Sequence, residues 1–331
     1  MGRIFLVLGI GALVLALVAA GGGYLWYRSV SNDIDRTDPF AGITGDRPAK
    51  AVEGAMNILM LGSDSRDPDN KAKAGEWRTD TMLIAHIPAN HEKAYLISIP
   101  RDLYVYIPKS PTNPDLGNRK AKINAAFAWG GLPLTVQTVE GFTGLRMDHV
   151  VLIDFGGFKQ VVDALGGIDM YIEQDVKSIH PPHRQFTKGN AHLDGAEALD
   201  YVRQRYQFAD GDFARMRHQQ QFMKAVLDKA ASSGTLTNPA KLNSFLRATA
   251  QAVTVDNDLS VFDMALTFRG IRSSDLVFST APHLGSKKVN GEDVIMPDTE
   301  KGAALYGAIK NDKAEEWFAN NAPNPSGSPS K

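Results

Sequence analysis

An α/β layered fold with a mixed central sheet, set behind one membrane-spanning helix, is what this sequence predicts, and three observations predict it. Short apolar runs of strand length alternate with longer stretches of helical periodicity. Two of the runs, Thr81–Ile87 and Ala94–Ile99, are separated only by Pro88-Ala-Asn-His-Glu-Lys93. That connection is short enough for a hairpin, so the sheet contains an antiparallel pair. Near the amino terminus, the 24 residues from Ile4 to Tyr27 contain no charge.

At 1.5 Å per residue the uncharged run reaches about 36 Å, enough to cross a hydrocarbon core of about 30 Å with some tilt. Tyr24, Trp26 and Tyr27 give it an aromatic belt at its far end. The alternative is a cleaved signal peptide, with Val18-Ala-Ala-Gly-Gly supplying small residues near a cut. We expect an anchor over residues 4–27, a cytoplasmic stub of residues 1–3, and the remainder outside a single-pass cell membrane. Residues 28–50 are polar, with Gly and Pro and no periodicity, and are expected to be a spacer. One domain is expected over residues 51–318, followed by a Pro/Ser/Gly-rich disordered tail over 319–331.

Within the domain, strands are expected at Met56–Leu61, Thr81–Ile87, Ala94–Ile99, His149–Ile153, Ile168–Ile172 and Leu276–Thr280. Helices are expected at Leu134–Gly141, Phe155–Leu165, Gly195–Asp200, Asp212–Ala231, Pro239–Val253, Val261–Ile271 and Thr299–Ile309. The segment Phe155–Leu165 has Asp154 to cap its start and Gly166-Gly167 to stop it. Tyr201 to Tyr206 reads as a strand, which would put Arg203 and Arg205 on one face. In the helix from Asp212, Met216, Met223, Val226 and Leu227 make the core stripe, Arg215 and Gln219 lie one turn apart, Arg217 faces water, and His218 reads as a solvated helix residue.

Bulk composition excludes several chemistries. There is no cysteine, so disulfides, thiol catalysis and cysteine-ligated metals are out. Formal net charge is −1, and nothing global argues for nucleic acid. No Gly-x-Ser-x-Gly, His-Glu-x-x-His or Walker loop occurs.

What stands out is the density of arginine. Arg203, Arg205, Arg215 and Arg217 fall close together among apolar segments, and Arg101 follows an apolar strand and Pro100 directly. Strand carboxyl ends are where ligands collect in α/β sheets, and convergent guanidinium groups suit a diphosphate. A salt bridge to a neighbouring acid is the plain reading of Arg101, and Asp200, Asp210 or Asp212 could serve Arg203 and Arg205. Asp64, after the first strand, and Asp80, at the head of the next, are plausible ligands for Mg²⁺, which takes one or two carboxylates plus phosphate oxygens. The alternative has Asp64 capping a turn and Asp80 paired with Arg78. Lys122 and Asn124 are candidate polar wall residues. Fixed cations behind a membrane tether point to a substrate with a diphosphate head and an apolar tail.

Six ordered segments resemble the LytR-CpsA-Psr family: Asn57-Ile-Leu-Met-Leu-Gly-Ser-Asp-Ser-Arg66, Arg78-Thr-Asp-Thr-Met82, Ile97-Ser-Ile-Pro-Arg-Asp102, Lys122-Ile-Asn-Ala-Ala-Phe127, Leu193 to Arg205, and Asp212-x-x-Arg215-x-x-x-Gln219-Gln220. The resemblance covers about residues 52 to 230. It implies an α/β/α sandwich with a long apolar lipid pocket. It also implies an enzyme that moves a glycopolymer from a polyprenyl diphosphate carrier onto peptidoglycan as a phosphodiester, normally at the muramic acid 6-hydroxyl. By the same resemblance Asp64 and Asp80 hold magnesium, Arg78, Arg101, Arg203, Arg205 and Arg215 bind the diphosphate with Gln219 beside them, and Asp212 supports the arginines. Position 218 departs from the pattern, being His where many members have Arg. The proton acceptor stays open between Asp64 and another acid near the metal. Two other readings of the same site are a polyprenyl diphosphate phosphatase and a non-catalytic membrane-bound regulator or lipid carrier.

Overall fold

The computed structural model describes residues 33–324, apart from 44, 64–78, 233, 236–237, 261–263 and 265–269. The expected span over 4–27 and most of the expected helix Val261–Ile271 therefore lie outside the described residues. Among the described residues no helix is long and apolar enough to cross a membrane.

Seven strands make the central sheet: β1 (Asp35–Thr37), β2 (Met56–Ser63), β3 (Thr79–Ile87), β4 (Ala94–Ser98), β7 (His149–Asp154), β12 (Val253–Asp256) and β13 (Leu276–Thr280), in the order β1-β12-β7-β2-β3-β4-β13. The pairs β1–β12, β7–β2 and β4–β13 are parallel, and the remaining neighbours are antiparallel. The sheet is mixed, as the short β3–β4 connection requires. Two-stranded ladders flank it: β5 (Tyr104–Ile107) with β6 (Arg119–Lys122), β8 (Ile168–Ile172) with β11 (Gly189–Leu193), β9 (Val176–Lys177) with β10 (Gln185–Phe186), and β14 (His283–Val289) with β15 (Glu292–Pro297).

The helices are α1 (Ala125–Thr143), α2 (Phe155–Ala164), α3 (Gly195–Arg203), α4 (Asp212–Ser232), α5 (Pro239–Ala252), α6 (Thr299–Lys310) and α7 (Ala314–Asn320). Alternation along β2 sorts them into layers. Leu59 and Leu61 face a core closed by Val136 and Val139 of α1, Leu305 and Ile309 of α6 and Phe318 of α7. Ile58 and Met60 point the other way, into a core with Leu83, Ala85, Leu96 and Met223 of α4. Both faces are covered, which explains why β4 is buried at every position. A third core joins α2, α3 and α4 to the β8–β11 ladder through Val162, Ile168, Leu199 and Tyr201.

Three expectations change. Residues 33–50 are not a bare spacer: β1 pairs with β12, Arg36 donates to the carbonyls of Asp256, Asn257 and Leu259, and Arg47 makes a bidentate pair with Glu140 at 2.7 and 3.0 Å. Single side chains make these attachments, so no periodicity betrays them. At the other end α7 runs to Asn320, and Asn324 accepts from the Thr280 amide at 2.9 Å, so ordered contacts pass beyond residue 318. The third change concerns Tyr201–Tyr206, which is not a strand. Helix α3, started by an Asp194–Glu197 capping box, continues to Arg203 and stops where Gln204 turns extended. Gln204 is fully buried, and its amide donates to Ser178 Oγ, the Asp200 carbonyl and Asp200 Oδ1 at 2.7–2.9 Å, which fixes the turn.

Candidate active site

Asp212 opens α4, and its carboxylate is shared by three guanidinium groups that the chain delivers from separate places. Arg215, one turn along the same helix, reaches Asp212 Oδ2 at 3.1 Å. Arg205, on the loop after α3, reaches Oδ1 at 2.9 Å. Arg101, just beyond β4, puts its Nε 2.8 Å from Oδ2. Arg215 is only 7% exposed, so its charge needs this partner. Burial works to raise the Asp212 carboxyl, but Arg215, Arg101 and Arg205 together outweigh it and hold the group below its usual range. Asp212 is therefore the shared anchor of the three guanidinium groups.

The neighbouring acids are used elsewhere: Asp210 pairs with Arg217, and Asp200 lies 3.5 Å from Arg184. Of the acids proposed for Arg203 and Arg205, Asp212 is thus the one seen on Arg205. Arg203 is the last residue of α3 and half-buried. Arg205 also lies over the Tyr206 ring, 4.4 Å from its centroid, while Tyr206 is itself exposed.

A second run of charge leads away from the cluster. Asp102 Oδ2 is 3.8 Å from Arg101 Nε, and Lys122 bridges Asp102 and Glu292 at 3.6 and 3.8 Å. Arg101, Asp102, Lys122 and Asn124 line a cleft of about 710 Å³ between the β5–β6 ladder, the start of α1 and the β14–β15 hairpin. Asn124 is held there by its amide, which donates to the Arg101 carbonyl at 3.2 Å. Trp129 forms another wall, with Arg119 stacked 4.6 Å from its ring centroid. Among the described residues of this run, the four cations Arg101, Arg205, Arg215 and Lys122 exceed the three carboxylates Asp212, Asp102 and Glu292 by one charge.

Gln219 reaches the central sheet. Its amide donates to Thr81 Oγ1 of β3 at 2.7 Å, and the next residue, Gln220, donates to Ser98 Oγ of β4 at 3.1 Å. These two bonds dock α4 across the sheet beside the strand head that carries Asp80. The β2–β3 register passes from Gly62 opposite Thr81 to Ser63 opposite Thr79, so residue 80 is the extra residue of a bulge. A Cβ on Gly62 would meet Thr81 Cβ at 2.9 Å, which is why the pairing needs glycine. Asp64 and Arg78 lie outside the described residues. In the chain Asp64 directly follows Ser63 and Arg78 directly precedes Thr79, and Ser63 and Thr79 are paired at one end of the β2–β3 ladder.

His218 corrects the sequence reading. It is fully buried, packed at 4.5 Å against the Tyr201 ring and edge-on to Phe208. Arg217 does not simply face water either, since it pairs with Glu173 at 3.0 Å and with Asp210. His218, whose Nε2 lies 3.8 Å from Glu173, leads the effects that lower this carboxyl; burial opposes it, Arg217 reinforces it, and the carboxyl ends at about 2. Leu227, placed in the core stripe, is 39% exposed, because α4 turns its apolar surface toward two cores at once. Asp102, Tyr104, Arg119 and Trp129 were missed as cleft residues. Only Asp102, adjacent to Arg101, carried a signal.

The family whose model matches, described as the LytR_cpsA_psr family, covers residues 27–311. The chain belongs to the LytR-CpsA-Psr family. Relatives of this family member include the probable cell wall biosynthesis protein LcpB of Corynebacterium glutamicum, 34% identical over 91% of this chain and 70% of that one. The polyisoprenyl-teichoic acid–peptidoglycan teichoic acid transferase TagU of Bacillus cereus is 34% identical over 71% of this chain and 73% of its own. The match to LcpA of C. glutamicum, at 27% identity over 88% of this chain, spans only 63% of that protein's length. Among solved structures, B. subtilis TagV superposes with a TM-score of 0.64 at 28% identity, covering 79% of this chain and 98% of the other. TagT bound to LI-WTA gives 0.62 at 27% identity, covering 81% and 96%. These structures share the mixed central sheet.

Proposed function

We propose that this family member is a phosphotransferase that attaches a glycopolymer from a polyprenyl diphosphate carrier to peptidoglycan as a phosphodiester. The observation that carries this reading is the Asp212 carboxylate, which holds Arg101, Arg205 and Arg215 together at the mouth of a cationic cleft. The printed names of TagU and TagT bound to LI-WTA support a wall glycopolymer as the cargo. Such chemistry needs fixed positive charge where a diphosphate is cleaved, and preorganised guanidinium groups supply it without rearrangement.

In the reaction the donor diphosphate lies against the three arginines, assisted by Arg78 and Arg203. The acceptor hydroxyl, at the muramic acid 6-position, attacks the sugar-linked phosphorus. The new P–O bond forms as the bridging P–O bond breaks, and the polyprenyl phosphate leaves with the electron pair. Asp212 stays ionised and keeps the guanidinium groups in register; the hydroxyl proton passes to another acid, for which Asp64 is the candidate. Asp64 and Asp80 would hold Mg²⁺, which when bound would add charge neutralisation at the diphosphate. The lipid tail would need an apolar pocket, as the family resemblance implies. Residues 4–27 tether the domain outside the membrane, where donor and acceptor meet.

The test is reconstitution with a synthetic polyprenyl diphosphate-linked saccharide, peptidoglycan and Mg²⁺, reading phosphodiester-linked product by mass spectrometry. Arg101→Ala and Arg205→Ala are each expected to lower transfer at least about 100-fold with far-UV circular dichroism unchanged. Wild-type transfer by both variants, or free saccharide phosphate as the product with acceptor present, refutes the assignment.

A further inference from the structure

The β5–β6 ladder stands apart from the main sheet, and its register sets Tyr104 opposite Lys122 and Tyr106 opposite Lys120. Directly opposed residues share a face of the ladder. Along β5 Val105 and Ile107 turn inward and are buried, while Tyr106 is 51% exposed. The outer face therefore carries two tyrosines and two lysines in alternation. The tyrosines stand about 7 Å apart along the strand.

On one side of this face lies the cleft that contains Arg101 and Trp129. On the other lies a second cleft of about 630 Å³, lined by Tyr106, Gln137, Phe142 and Pro297. Tyr104 and Lys120 line both. The two clefts thus adjoin at the hairpin, and we read them together as a trench leading from Arg101 to Phe142. Neither is an apolar tunnel: both mix aromatic rings with charged and amide side chains.

We propose that this trench binds the acceptor, a peptidoglycan glycan strand, an inference that rests on the transferase reading above. Aromatic rings spaced along an open groove suit the C–H faces of successive pyranose rings, and the amides of Asn124 and Gln137 suit their hydroxyl groups. Lys120 and Lys122 supply cations for the carboxylates of lactyl groups and stem peptides. The direction of approach selects the acceptor over the donor. Of the three arginines around Asp212, Arg101 lines the first cleft, and neither Arg205 nor Arg215 lines either one. A strand lying in it would bring its hydroxyl to the cluster at Arg101, and in-line displacement would then put the leaving phosphate on the far side of the phosphorus.

The experiment titrates soluble, uncrosslinked peptidoglycan strands bearing stem peptides into the full-length protein without donor, and separately measures KM for donor and acceptor. Tyr106→Ala and Lys120→Ala, both on the exposed ladder face, are expected to weaken strand binding about tenfold and raise acceptor KM to match, with donor KM unmoved. Acceptor affinity unchanged in both variants, or a rise in donor KM instead, overturns the trench while wild-type transfer still stands. Strand binding that the variants lose, in a protein that performs no transfer, keeps the trench and removes the transferase reading.

Discussion

Asp212 is the residue on which the site geometry turns. Three guanidinium groups crowd around it, and without its charge they would repel one another. Replacing it by Asn keeps the volume and removes the charge they share. Asp212→Asn is expected to reduce kcat for transfer about 100-fold, the usual cost of misplacing groups by an ångström, and also to lower the unfolding transition, because the buried Arg215 charge loses a partner. An unchanged kcat would show that the arginines are positioned by other contacts. The arginines themselves were legible in the sequence, because guanidinium groups amid apolar runs demand an anion. Their common anchor was legible only in part. Arg215 lies within one turn of Asp212, but Arg101 arrives from another strand end, and no local pattern reports such a meeting. His218 failed for a related reason: on α4 the apolar stripe wraps toward two cores, so a residue beside the assumed stripe is interior.

At the scale of elements, periodicity located every central strand except two, β1 and β12, which are three and four residues long. Strands that short carry too few alternations to read. Helix α1 shows the opposite limit. Its expected core, Leu134–Gly141, is correct, but the helix starts at Ala125 and kinks at Gly130 and Gly131, where Gly131 adopts φ 64 and ψ −153. The kink gives the first turns their own direction and sets Ala125, Ala128 and Trp129 in the cleft wall. Only glycine occupies that region of backbone space without strain. Gly131→Ala is expected to cost about 1–3 kcal/mol in urea unfolding and to weaken acceptor binding through Trp129. A variant as stable as the parent would mean that the kink relaxes freely.

At the scale of the molecule, one strand joins the chemistry to the fold's stability. The head of β3 holds Thr81, which accepts the Gln219 bond, and near its other end His86 is buried in the sheet. His86 Nδ1 lies 2.9 Å from Asn57 Oδ1, and Nε2 lies 3.6 Å from Asp312, in the turn between α6 and α7. Asp312 also accepts the Ala89 amide, so this corner clamps the carboxyl-terminal helices to the sheet. Burial pushes the imidazole down to about 4, against the pull of Asp312 and Asp148. The unfolded chain therefore takes up a proton at this histidine before the folded one does, between about 6.5 and 4. Stability from keeping His86 neutral is complete above that window and is lost as pH falls through it, by on the order of 3 kcal/mol. Asp212, held below the usual carboxylate range, adds its own loss only at still lower pH. Urea unfolding at pH 7 and pH 4.5 should show this drop in the wild type, and His86→Gln should remove most of it while leaving the Arg101–Asp212 end of the molecule intact. An equal pH dependence in the variant would move the acid sensitivity away from this clamp and onto the carboxylates of the site.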